Sequence, residues 1–184
     1  KEPDSNLASM GISIFRWEAL RKALLEDHEA ENTGHDFGGD IIPKMLAEGK
    51  KLIVYRFGGY WRDVGTVSSY YDSQMDLMDT QEDIDVFTKD FKVFSNSNMY
   101  PPQFIGPDAN ISNSMICNGC TVYGTVKHSI LGSGAVVGEG SVVEDSIILP
   151  NAIIGRDCVV RNAIINEGHV TCDNETIGDP EGNL

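Results

Sequence analysis

The chain has 184 residues, 41% hydrophobic and 23% charged, an ordinary globular composition that excludes wholesale disorder. Its 28 acidic residues against 14 basic ones leave a formal charge of −14, which repels phosphate backbones and anionic lipid and argues against a nucleic-acid or membrane-surface role. No stretch approaches the ~20 consecutive apolar residues of a bilayer span and no secretory apolar region opens the chain; phosphorylated small molecules remain open, because a few local donors can bind one.

Up to about Thr80 the pattern is mixed α/β. Leu7 to Phe15 reads as a strand around Gly11. Trp17, Leu20, Ala23 and Leu24 recur at helical spacing and predict an amphipathic helix over residues 17–27. The polar run Glu26 to Gly34 is a loop, and Ile41, Ile42, Met45 and Leu46 mark a second short helix, with Pro43 tolerable only in its first turn. Lys51 to Phe57 reads as a buried strand ending in Gly58-Gly59. A third helix begins near Thr66, a plausible N-cap, and carries Val67, Tyr70, Tyr71 and Met75. The acidic stretch Asp76 to Asp85 and the run Ser95 to Pro102 read as a linker, the acids as a solvated face.

From Ile105 the pattern changes. Aliphatic residues fall at Ile105, Ile111, Ile116, Val122, Leu131, Val137, Val143, Ile148, Ile154, Val160 and Ile165, mostly five or six apart, with a superimposed period of seventeen that links Leu131 to Ile148 to Ile165. A small side chain often follows four residues later: Ala109, Cys120, Ala135, Ser141, Ala152 and Cys158. Ile130, Ile147 and Ile164 mark a third face. Three short strands per repeat, each with one inward aliphatic, describe a triangular solenoid of about four coils over residues 105–170. The small residues belong at corners where coils nearly meet, and Gly106, Gly132, Gly138 and Gly155 fit tight corners. This pattern resembles the hexapeptide-repeat family, which implies a left-handed parallel β-helix, an exception to the right-handed crossover rule.

The cysteines Cys117, Cys120, Cys158 and Cys172 do not form a disulfide framework, since a chain of this length buries a core without staples. Cys117 and Cys120 have the C-x-x-C spacing of zinc and redox sites, but no second pair stands at zinc spacing and the repeat already explains Cys120 as a core residue. A reducing, cytoplasmic setting is expected.

Four segments of the first half look chemical. Ser9 puts a hydroxyl on the first strand beside Gly11; His35-Asp36-Phe37-Gly38 sits at a loop-to-helix junction, where Asp36 caps the helix or binds a ligand. In Gly58-Gly59-Tyr60-Trp61-Arg62-Asp63-Val64-Gly65-Thr66, the Gly58-Gly59 pair, two aromatics, a carboxylate and a helix start meet after a predicted strand. Ligand sites of α/β folds concentrate at strand ends; an aromatic face packs on a sugar ring, and a carboxylate holds Mg²⁺ or a sugar hydroxyl. The alternative makes Tyr60 and Trp61 core aromatics and pairs Asp63 with Arg62.

The whole chain resembles the C-terminal part of a bacterial ADP-glucose pyrophosphorylase (glucose-1-phosphate adenylyltransferase) through SNLASMGISIF (5–15), HDFGGDIIPKML (35–46), GYWRDVGTVSSYYDSQMDL (59–77) and residues 122–155 of the repeat. The resemblance implies an α/β remnant of a Rossmann-like nucleotidyltransferase domain (1–80, the sugar-phosphate side), a linker (81–104) and a left-handed β-helix (105–184). It implies that Ser9, Asp36, Phe37 and Trp61 line a glucose 1-phosphate site and that Asp63 is the catalytic carboxylate that helps hold Mg²⁺. The implied reaction joins ATP and glucose 1-phosphate to give ADP-glucose and pyrophosphate, in a homotetramer or a hetero-oligomer with a paralogous subunit, under a small-molecule effector.

The Gly-rich phosphate loop with its Arg, the second metal-binding Asp and the Glu-Lys-Pro motif of that family are not in this sequence, and it opens at Lys1 without a methionine. It is therefore read as a fragment, expected not to catalyse alone. Two other functions fit the sequence: a catalytically weak regulatory or structural subunit of the same assembly, and a hexapeptide acyltransferase using His128 or His169 as base.

Overall fold

The structure, a computed structural model, describes residues 7–79 and 98–179. It divides into two compact units, Lys1–Trp61 and Arg62–Leu184. No helix among the described residues is long and apolar enough to cross a membrane.

The first unit is built on helices. Helix α1 spans Trp17–His28; a single π-helical turn, Phe37–Ile41, runs directly into α2, Ile42–Ala47, with Pro43 in the first turn, where its missing N–H costs nothing. Ala23, Ile41 and Met45 are buried together, with Phe15, Ala19 and Leu24 packed around them. The expected strands at 7–15 and 51–57 do not form. Ile12, Ile14, Ile53, Val54 and Tyr55 are all exposed, Ile14 at 99%. Their β-forming composition is real, but a strand needs a neighbour to take its N–H and C=O groups, and no strand lies among the described residues of this unit.

The second unit opens with α3, Val67–Asp79. Thr66 caps it: the Ser69 N–H donates to Thr66 Oγ1 at 3.1 Å and the Thr66 N–H donates back to Ser69 Oγ at 3.0 Å, a reciprocal capping pair. The helix takes in Asp76 to Asp79, the start of the expected linker; residues 80–97 lie outside the described residues.

Among the described residues, thirteen short strands, β1 (Phe104–Ile105) to β13 (Thr176–Ile177), then form three parallel sheets. The first is β1-β4-β7-β10, the second β2-β5-β8-β11-β13 and the third β3-β6-β9-β12, each strand pairing with its counterpart one coil away. Register follows the repeat: Val122 opposes Val137 and Val137 opposes Ile154; Val126, Val143 and Val160 align; Leu131 faces Ile148 and Ile148 faces Ile165. From Val122 to Val160 these inward side chains are 0–1% exposed, each contributing roughly 1.5–3 kcal/mol by burial. Ile111 and Ile116 are half-buried and Ile105 is 42% exposed, because among the described residues no coil lies beyond the first.

The small residues hold the corners. Cys120, Ala135, Ser141, Ala152 and Cys158 are buried, and Cys120 Sγ donates to the Gly132 carbonyl at 3.1 Å. Cys120 is a core residue, 1% exposed, and that burial pushes its thiol pKa up; all four cysteines are free. Gly138 is required by space: a Cβ there would collide with the carbonyl oxygen of Gly155 in the adjoining coil. The left-handed positions are elsewhere, and one series runs Asn113, His128, Asp145, Asn162, with φ from +41 to +47°. Asn and Asp tolerate that conformation; His is the unusual member.

A serine ladder stitches the coils from within. Ser129 Oγ donates to the Lys127 carbonyl at 2.7 Å and accepts from the Ser146 N–H at 3.0 Å; Ser146 Oγ repeats this with the Glu144 carbonyl and the Ala163 N–H. Both serines are fully buried and fully satisfied.

One coil is shorter. Val122 and Val126 are four residues apart, where Val137 to Val143 and Ile154 to Val160 are six. The missing corner leaves a cleft of about 490 Å³ lined by Asp108, Tyr123, Thr125 and Glu139.

The three faces of the solenoid differ. The second sheet shows solvent a charged row, with Glu144 between Lys127 (4.0 Å) and Arg161 (3.1 Å). The third sheet is covered by α3: Met75 and Met78 are buried with Ile147, and Tyr70, Tyr71, Ile130 and Ile164 pack around them. A helix of thirteen residues is marginal alone, so this docking is what stabilises it. Tyr71 Oη donates to the Asp145 carbonyl at 2.6 Å.

His128 fastens the far end, with Nδ1 2.6 Å from Asp145 Oδ1 and Nε2 2.9 Å from Asp79 Oδ1 on the last residue of α3. The Asp145 hydrogen bond raises its pKa above the ordinary histidine value; burial opposes this, and Asp79 reinforces it. A raised folded-state pKa means that the contribution is fully present below about pH 6.5 and is lost as pH rises through the higher folded value. His128→Asn, which keeps the left-handed corner, is expected to cost about 0.5–1 kcal/mol near pH 6 and much less near pH 9. Thermal melts of the two proteins at both pH values check this, and a difference that does not change with pH would remove the charged histidine from the joint.

Candidate functional site

In the first unit a small polar network shapes the loop before α2. Asp27, the penultimate residue of α1, is 6% exposed. It accepts from Thr33 Oγ1 at 2.7 Å and lies 2.8 Å from His35 Nδ1. The His35 and Thr33 contacts hold its carboxyl below the ordinary aspartate range. His35 itself adopts φ +56°, so the next residue turns sharply into the helix. Asp36 is the cap: Oδ1 accepts from the Gly39 N–H at 2.5 Å, while its carbonyl accepts from the Asp40 and Ile41 N–H groups at 3.0 and 3.1 Å. Asp40 closes the loop from the other side, accepting from the Gly34 and Asp36 N–H groups, each at 3.1 Å.

Phe37 is 44% exposed and its ring lies 6.0 Å from that of Phe15, tilted by 48°. This contact ties the segment bearing Ser9 to the Asp36-Phe37 loop. Ser9 Oγ accepts from the Gly11 N–H at 3.2 Å, where Gly11 takes φ +71°. The contacts of Ser9 and Asp36 are thus with their own segments, and the two segments meet through the Phe pair.

Tyr60 is 37% and Trp61 44% exposed, so neither is a core aromatic. Because residues 51–57 pair with no strand, the turn at Gly58 is not a strand end in this structure. The downstream part of the motif belongs to the second unit. There Arg62 does not pair with Asp63. Its Nη1 lies 3.3 Å from Asp72 Oδ2 and its Nη2 3.0 Å from Asp76 Oδ2, two carboxylates one turn apart on α3. Asp63 is exposed, and among the described residues no hydrogen bond or ion pair engages its carboxylate. An exposed, uncommitted carboxylate is a hard oxygen donor of the kind Mg²⁺ takes one or two of, completing its shell with water and phosphate.

His128 is committed to two carboxylates at the α3 joint, and His169 is exposed near the last full coil. Asp27 and the Asp72–Asp76 pair carry no signal in the sequence. Their partners stand six to fourteen residues away, a spacing that no periodic pattern flags.

Residues 1–80 match a family model described as nucleotidyl transferase, and residues 102–183 match one described as GlmU-like, C-terminal hexapeptide. Similar curated proteins include a glucose-1-phosphate adenylyltransferase of Desulfitobacterium hafniense strain Y51, 45% identical over 182 residues, which are 98% of this chain and 46% of the relative. One from Bacillus thuringiensis strain Al Hakam is 43% identical over 99% of this chain and 48% of its own length. One from Acetivibrio thermocellus is 41% identical over 91% and 39%. The chain spans less than half the length of these relatives.

Proposed function

The chain belongs to the glucose-1-phosphate adenylyltransferase family, and from that membership we propose that the complete gene product joins ATP to glucose 1-phosphate, releasing pyrophosphate and forming ADP-glucose. The observation that carries this reading is identity of 45% along 98% of the chain, through both halves at once. A hexapeptide solenoid alone would fit many activities; joined to a nucleotidyl transferase segment it fits far fewer.

In this reaction an oxygen of the sugar phosphate attacks the α-phosphorus in line and pyrophosphate leaves. Nucleotidyl transferases generally use a divalent metal, and Asp63 is the residue here that would hold Mg²⁺. Bound there, Mg²⁺ would neutralise charge on the triphosphate and the leaving group. Ser9, Asp36, Phe37 and Trp61 are assigned to the sugar phosphate. Trp61 offers an exposed aromatic face for the ring, and Asp36, with Oδ1 on the Gly39 N–H, keeps Oδ2 for a sugar hydroxyl. The solenoid is assigned to subunit assembly, as a homotetramer or beside a paralogous subunit, and to binding of a small effector in the cytoplasm.

The test is pyrophosphate release by the complete gene product with glucose 1-phosphate and ATP, UTP, CTP or dTTP, with and without Mg²⁺. Metal-dependent release that prefers ATP is the expected result. No release with any nucleotide, from protein that still assembles, would replace this reading with that of a non-catalytic subunit.

A further inference from the structure

We propose that Arg62 is a positioning residue: it ties the short segment bearing Asp63 to α3, and through α3 to the third sheet of the solenoid, so that the solenoid fixes where the Asp63 carboxylate stands. The inference rests on the assignment of Asp63 to the metal.

The segment is pinned at both ends. At one end the Arg62 guanidinium forks onto Asp72 at 3.3 Å and Asp76 at 3.0 Å. At the other, Thr66 is locked into the first turn of the same helix by its reciprocal bonds with Ser69. Only Asp63, Val64 and Gly65 lie between. Two carboxylates four residues apart face the same flank of a helix, and a planar guanidinium that reaches both is fixed in orientation as well as position, which a point charge is not.

The helix that receives this fork is itself held on the solenoid at three levels. Met75 and Met78 are buried on Ile147, Tyr71 donates to the Asp145 carbonyl, and Asp79 meets His128. Each link lies within the second unit. A shift or loosening of α3 on the third sheet therefore moves Arg62, and Arg62 adjoins the carboxylate. Ion pairs this exposed add little to folding stability, so the work of this one is geometric and its loss should be read in the metal site.

Three variants of the complete gene product test this: Arg62→Ala, the double Asp72→Asn/Asp76→Asn, and Asp63→Asn as reference. The readouts are Mn²⁺ affinity by electron paramagnetic resonance, the Mg²⁺ concentration for half-maximal turnover, and Tm. Arg62→Ala is expected to weaken Mn²⁺ binding and raise the Mg²⁺ requirement by about tenfold, the lower end of what supporting partners of metal ligands cost, with Tm almost unchanged. The double variant should do the same, and combining the two should add nothing, because both cut one link. Loss of metal affinity in Arg62→Ala but not in the double variant would overturn the inference, since Arg62 would then act other than through α3. So would normal affinity in both beside a deficient Asp63→Asn, which would leave the assignment of Asp63 standing. Normal Mn²⁺ affinity in Asp63→Asn would instead remove that assignment, and the inference with it.

Discussion

Ile154→Asp, or equally Val137→Asp, is expected to unfold the solenoid, while Ile153→Asp, one residue away, should leave it folded. Ile154 is 1% exposed and Val137 fully buried, each aligned with the other across the first sheet. A carboxylate at either position would be enclosed by aliphatic side chains with no partner. It must either carry its charge out of water or hold a proton at neutral pH, and either course costs roughly 4 kcal/mol or more on top of the lost apolar burial. A domain typically has about 5–15 kcal/mol of stability in total. Ile153 is 40% exposed on the outer side of the same strand, so a carboxylate there stays hydrated and should cost under about 1 kcal/mol. Circular dichroism melts of the three variants decide the matter. If Ile154→Asp melted like the unaltered protein, the inward register would be wrong.

Asp63→Asn in the complete gene product should lower turnover about 100-fold or more, with assembly and Tm intact. The substitution keeps the shape of the side chain and removes only its charge, at an exposed position with no ion pair to lose among the described residues. Folding should therefore change by less than about 0.5 kcal/mol. Catalysis should not be spared, because a neutral amide is a poor ligand for a hard divalent cation, and removal of a single well-placed electrostatic element commonly costs 10²–10³-fold in rate. Size-exclusion chromatography alongside pyrophosphate release separates the two effects. Near-normal turnover would take Asp63 out of the metal site.

The solenoid was legible in the sequence because its physics is repetitive: each strand turns one aliphatic inward, and the same register recurs at every coil. Legibility failed where the period did. Val126 is as buried as any core residue, yet the short corner before it puts it out of phase with the other anchors. The serine ladder was hidden for a different reason, since a small polar residue in a core reads as a surface residue until its partners one coil away are known. The glycines at 132, 138 and 155 were correctly placed at corners but not for backbone freedom; coils pass too close there for a side chain.

In the first half, helices could be read because their determinants are local: α1 from its apolar spacing, α2 from Ile41, Ile42, Met45 and Leu46, and α3 from the cap at Thr66. The strands could not, because a strand is a property of two segments. Asp36 shows the limit for the site. Its capping role was expected from local chemistry and is present, but the same geometry neither requires nor forbids a ligand on its other oxygen. The isoleucines at 130, 147 and 164 were recognised as an apolar row, and Tyr70, Tyr71 and Met75 as a helix face; only three dimensions bring the one onto the other.

The shortened corner between Val122 and Val126 has a consequence for how such a chain varies over time. The ladders on both sides of it stay in register although two residues are missing, so coil-to-coil alignment is enforced by the strands and is indifferent to the length of what joins them. Corner length is then a freely heritable variable. A change of length at a corner therefore costs the stack less than the same change inside a strand, as the four-residue step from Val122 to Val126 beside its six-residue counterparts illustrates.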